Sequence, residues 1–136
     1  MLSIIIGKKG TGKTKKLIEQ VEQAEANTSG SVVFINKGDR HIFDVSHRVR
    51  LVDTQEFDVD TYRSLYGLVC GMISQNYDIS DIFIDSVTKI AGEDSALLEQ
   101  FLGELDAVAA KFNINAVVFI SMDVEEAPEG VKKYVK

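Results

Sequence analysis

The sequence predicts an α/β protein, a three-layer α/β/α sandwich around a mostly parallel five-stranded sheet. Three observations carry this expectation. Short β-branched and apolar runs recur along the chain, amphipathic helical segments separate most of them, and a glycine-rich turn from Gly7 to Thr14 joins the first run to the first helix. Parallel neighbours need long crossovers, and right-handed crossovers lay helices over both faces of a sheet. Ligands of such sheets bind beyond the C-terminal ends of the strands. Gly7, Asp39, Asp85 and Ser121 are expected there.

Ser3 to Ile6 ends in glycine and reads as a strand buried on both faces. After the turn, Leu17, Ile18, Val21 and Ala24 recur at helical spacing up to Asn27, with Ser29 and Gly30 as stop signals. Ser31 to Ile35 and Val49 to Val52, ending at Asp53, are the next two strands, with a polar stretch containing Gly38 and Asp39 between them. From Asp60, the residues Tyr62, Leu65, Tyr66, Val69, Met72 and Ile73 mark one face of a helix. Gly67 and Gly71 each weaken that helix by about 1 kcal/mol relative to alanine, a cost that close packing against the sheet would explain. Ile82 to Ile84 is a strand with Asp85 at its C-terminal end, and Leu98, Phe101, Leu102, Leu105, Val108, Ala109 and Phe112 form the clearest amphipathic helix. Ala116 to Ile120 is the last strand, and Ser121 follows it. A tail over about 122–136 is acidic around Asp123, Glu125 and Glu126, passes the only proline, Pro128, and becomes basic in VKKYVK. Such a segment is solvated and mobile by default, or docks another chain.

A chain of 136 residues suits one domain spanning 1–136 with a buried core. Apolar residues at 45% and charged residues at 26% match soluble globular proteins. No apolar run approaches the roughly 20 residues of a membrane span. The apolar start, Leu2 to Ile6, turns directly into Gly7, Lys8 and Lys9, unlike a signal peptide, so a cytoplasmic location is expected. Cys70 is the only cysteine, which excludes an internal disulfide and suits a small buried hydrophobe. Fifteen basic against twenty-one acidic residues give a net charge of −6, which disfavours nucleic acid as a partner.

The turn Gly7-Lys8-Lys9-Gly10-Thr11-Gly12-Lys13-Thr14 matches G-x-x-x-x-G-K-[ST] between a strand and a helix, where a phosphate-binding loop must stand. Its fixed positions would match by chance in roughly 0.5% of chains this long, before that context is required, so the match is specific. Backbone N–H groups converge on a polyphosphate only where residues are small, and the helix dipole adds positive potential. Gly7, Gly10 and Gly12 meet that need, and Lys8, Lys9, Thr11 and Lys15 complete the expected nucleotide-binding set. Lys13 is expected on the β and γ phosphates, where its charge also serves catalysis, and the Thr14 hydroxyl on Mg²⁺. The ion needs a carboxylate as well. Asp85, after the apolar Ile82-Phe83-Ile84, has the form of a Walker B aspartate.

On these residues the chain resembles the P-loop NTPases, and within them a minimal RecA-type ATPase core. In that family the Walker B aspartate is commonly followed by serine, as in Asp85-Ser86-Val87, and the order of strands and helices is similar over most of the chain. The resemblance implies ATP and Mg²⁺ as ligands. It puts the water-activating glutamate of the family at Gly38, with Asp39 beside it as the candidate base, and the polar sensor at Ser121. Met122 stands where a second polar sensor residue is usual, and the family's DNA-binding loops have no counterpart. The function implied is ATP binding with weak or partner-dependent hydrolysis, in which Arg40, Arg48, Arg50 or Arg63, or a neighbouring subunit, completes the site.

Three other readings stand beside it. Gly38 and Met122 suit a switch or interaction module that holds ATP without turnover. The same loop serves small-molecule kinases, although an arginine-rich lid is missing. Asn36-Lys37-Gly38-Asp39 spells the N-K-x-D motif that reads guanine, but it precedes Asp85 instead of following it, and reads more simply as a strand-to-loop turn. A nucleoside triphosphate is the expected partner, with a homo-oligomer or second protein possible.

Overall fold

The computed structural model describes residues 1–8, 10, 12–38 and 44–136. Strand β1 (Leu2–Gly7) leads through the glycine-rich turn into helix α1 (Lys13–Asn27), followed by β2 (Ser31–Asn36) and β3 (Arg50–Asp53). Helix α2 (Tyr62–Gln75), β4 (Ile79–Ile84), a short helix α3 (Val87–Ala91), α4 (Ser95–Lys111), β5 (Asn115–Ser121) and α5 (Glu129–Lys132) complete the order. The strands form one five-stranded sheet in the order β1-β5-β4-β2-β3, and neighbouring strands run parallel.

The period-2 alternation of the strands sorts their side chains onto two faces. Ile4, Val33, Ile35, Val52, Ile82, Ile84, Val118 and Ile120 join Leu65, Val69, Leu98, Leu102 and Leu105 from α2 and α4 in one cluster. Ile5, Val32, Phe34, Phe83, Val117 and Phe119 join Leu17 and Val21 of α1 in the other. Helices therefore cover both faces, and the inner strands β2 and β5 are buried almost throughout. The two longer helices over the α2–α4 face start on side-chain caps. Thr61 and Ser64 form a reciprocal capping box on α2, and the Asp94 carboxylate accepts from the N–H groups of Ala96 and Leu97 at the start of α4.

Several expectations need correction. Gly67 and Gly71 are exposed, and a Cβ on either would meet nothing within 4 Å, so close packing against the sheet does not explain them. Gly67→Ala and Gly71→Ala should each raise stability by about 0.5–1 kcal/mol, read as a higher urea midpoint at unchanged slope. At Gly30 a side chain has no room, because a Cβ there would collide with the Asp78 carbonyl oxygen. Residues 122–136 fold back onto the domain. Ala127 and Val131 are buried, and α5 lies against α4. The Ile4 N–H donates to Tyr134 at 2.8 Å and Lys136 donates to the Ile4 carbonyl at 3.0 Å, so the last residues run beside the outer edge of β1.

Tyr62 ties α2 to the segment before α4. Its ring lies 5.5 Å from that of Phe101, and its hydroxyl donates to the Gly92 carbonyl at 2.6 Å. Burial, helped by the nearby Asp94 and Glu93 charges, pushes the phenol from 10.0 up to about 12. An acid whose folded pKa is raised favours folding while it is neutral, and that contribution fades as pH passes the unfolded value. Stability should therefore fall by roughly 1–2 kcal/mol more between pH 10 and 12 in the native protein than in Tyr62→Phe, measured by urea unfolding across that window.

Candidate functional site

Gly7 closes β1 in register with Ser121 of β5, and the Met122 N–H donates to the Gly7 carbonyl at 3.1 Å. The turn that follows depends on backbone freedom. Gly10 and Gly12 have φ of 88° and 81°, and a Cβ at either would meet nothing within 4 Å. Glycine is needed there for the left-handed backbone and not for want of space.

Gly12 is the N-cap of α1 and supplies no side-chain cap, and the first turn contains no acidic residue. It carries Lys13, Lys15 and Lys16 instead. Cations at the positive end of a helix oppose its dipole, and its first N–H groups lack intrahelical partners. This local conflict with helix preferences disappears if an anion sits at the helix start, which is where the motif expects phosphates.

The carboxylate comes from the other side. The Asp85 N–H donates to the Ile35 carbonyl at 2.9 Å, so the residue just past β4 is still pinned to β2. Ser86 then turns the chain with a left-handed backbone, φ 53° and ψ 53°, and opens α3. For a non-glycine residue that conformation costs roughly 1–2 kcal/mol. It aims α3 so that Asp85, Ser86 and Lys89 share one cleft with Gly10, Gly12, Lys13, Thr14 and Ser121. The cleft has a volume of about 340 Å³. Asp85 is 7% exposed and accepts from the Ser86 hydroxyl at 3.1 Å.

Lys13 sits between these groups. Its ammonium donates to the Lys8 carbonyl at 2.9 Å. Partial burial holds its pKa below the usual lysine value, the Asp85 charge pulls it back up, and Lys89 pushes it down. A hydroxyl and a carboxylate are hard oxygen ligands of the kind Mg²⁺ takes together with phosphate oxygens and water, so Thr14 and Asp85 fit that ion. Among the described residues no cluster of three or more His, Cys, Asp or Glu side chains offers an all-protein metal cage.

Of the residues expected at the site, Gly10, Gly12, Lys13, Thr14, Asp85 and Ser121 line the cleft, and Gly7 is not among the lining residues but pairs with Ser121. Lys8 is turned to Asp123, 3.2 Å away, and Lys15 is exposed and is not among the lining residues. Lys9, Thr11, Asp39 and Arg40 lie outside the described residues. The other arginines proposed as fingers are elsewhere. Arg63 pairs with Glu104 at 2.8 Å, Arg48 with Glu25 at 3.6 Å, and Arg50 lies on the edge strand β3. Lys89 is the cation that the sequence reading missed. Only the short helix α3, which no strong periodicity announces, brings it to the cleft. Met122 packs against the core, and Asn36 is not a turn residue but the buried last residue of β2.

The chain matches no protein-family model and no curated protein sequence.

Proposed function

We propose that this chain is a P-loop nucleotide-binding protein that holds Mg²⁺-ATP in the cleft between the glycine-rich turn and Asp85. One observation carries the reading: the motif residues Gly10, Gly12, Lys13 and Thr14 meet a buried Asp85 and Ser121 at the C-terminal ends of β1, β4 and β5. The glycine-rich turn and Asp85 are separated by about seventy residues of sequence, and their meeting in one cleft supports the reading. On binding, the Lys13 ammonium would exchange the Lys8 carbonyl for β and γ phosphate oxygens, a stronger, charge-assisted contact. Thr14 and Asp85 would hold the Mg²⁺, which neutralises charge on the phosphates when bound. Lys89 would add a second cation from the opposite wall. Guanine reading through the N-K-x-D match is disfavoured, because its first residue, Asn36, is 3% exposed inside the sheet.

The same residues support slow turnover. Gly38 has no side chain to activate water, and its N–H is held by the Asp53 carboxylate at 2.8 Å. Met122 belongs to the core, so Ser121 is the polar group that β5 offers to the cleft. An ATP-binding switch without turnover is the second reading that these positions favour. Phosphate release by the purified protein, followed with and without Mg²⁺, separates the two. Hydrolysis that saturates with ATP supports an ATPase, whereas stabilisation by ATP with no phosphate released supports the switch. Neither stabilisation nor hydrolysis would reject nucleotide binding.

A further inference from the structure

The two edges of the sheet are treated differently. The outer edge of β1 is occupied by the chain's own C-terminal segment, through the bonds of Ile4 to Tyr134 and Lys136. The outer edge of β3 has no such cover among the described residues, since β3 pairs only with β2. A cavity of about 560 Å³ touches every residue from Val49 to Asp53. An open strand edge presents unpaired N–H and C=O groups and is a template for a further strand. Asn36 also lines this cavity, and its buried amide oxygen has no hydrogen-bond donor among the described residues.

The charge along the edge says what fits. His47, Arg48 and Arg50 stand at its N-terminal end, and Asp53 and Glu56 at its C-terminal end, all on the same cavity. A single-sign edge would repel its own copy. An edge basic at one end and acidic at the other complements itself when two copies run antiparallel, because each basic end then meets the other's acidic end. We propose that the chain self-associates through β3, two copies pairing antiparallel about a twofold axis to form one continuous sheet. An axis perpendicular to the sheet keeps the helix layers on the same sides in both copies. Directly opposed side chains must share a face, so the axis passes level with a residue and not between two residues. The cleft at Lys13 and Asp85 stays open in such a dimer, and the inference does not depend on nucleotide binding.

Sedimentation velocity over a concentration series at low salt tests it. The native chain should dimerise reversibly, and added salt should weaken the dimer. Arg50→Glu and Glu56→Lys, both at exposed positions, should each weaken self-association about 10-fold or more. Mixed together, the two variants should form a heterodimer at native strength, because each reversed end then meets its opposite. That rescue excludes misfolding as the cause. A chain that remains monomeric throughout the series, a dimer indifferent to both reversals, or a mixture that fails to associate would overturn the proposal.

Discussion

Replacing Lys13 with alanine should weaken Mg²⁺-ATP binding about 100-fold or more, roughly 3 kcal/mol, while leaving the fold intact. The loss is large because the ammonium is partly desolvated beside Asp85, where its field on a polyphosphate is less screened than at the surface. The fold should survive because that ammonium donates to the loop's own Lys8 carbonyl and not to the core, and alanine suits the first turn of α1. Lys13→Arg should recover little of the loss, since a planar guanidinium does not replace a compact ammonium inside a narrow backbone loop. Calorimetric titration of both variants, with circular dichroism as the control for folding, measures this.

Asp85→Asn should act differently, and the difference identifies its role. A carboxylate that binds metal contributes only when the metal is present, but its negative charge repels ATP at all times. The variant should therefore lose Mg²⁺-ATP affinity by about 10- to 100-fold, while its affinity for ATP in excess chelator should stay the same or rise. Asparagine keeps the shape and an acceptor for the Ser86 hydroxyl, so the left-handed turn at Ser86 should persist. Equal losses with and without Mg²⁺ would instead make Asp85 a structural residue of the turn.

How much of this was legible in the sequence depends on the length scale of the cause. The glycine-rich turn could be read because its chemistry is local, and positive φ at Gly10 and Gly12 is what such a loop demands. The five strands were legible because β-branched runs buried on both faces have few alternatives. The strand order was not, since it depends on which crossovers pack best over the whole sheet. That order decides that β5 lies between β1 and β4, and so that Ser121 stands between Gly7 and Asp85. Lys89 was hidden for a similar reason, because its place depends on the strained turn at Ser86. The exposed Gly67 and Gly71 do not have the close packing against the sheet that would explain glycine in a helix. The charge of the C-terminal segment suggests a solvated tail, while its anchors, Ala127 and Val131, are too few to make a periodic pattern.

The central claim is that Gly10, Gly12, Lys13, Thr14 and Asp85 form one Mg²⁺-ATP site. Calorimetric titration of ATP into the native chain, in Mg²⁺ and again in excess chelator, tests it most directly. The account predicts one saturable site in the micromolar range, tighter with Mg²⁺ than without. No saturable binding at millimolar ATP by a folded chain would contradict it.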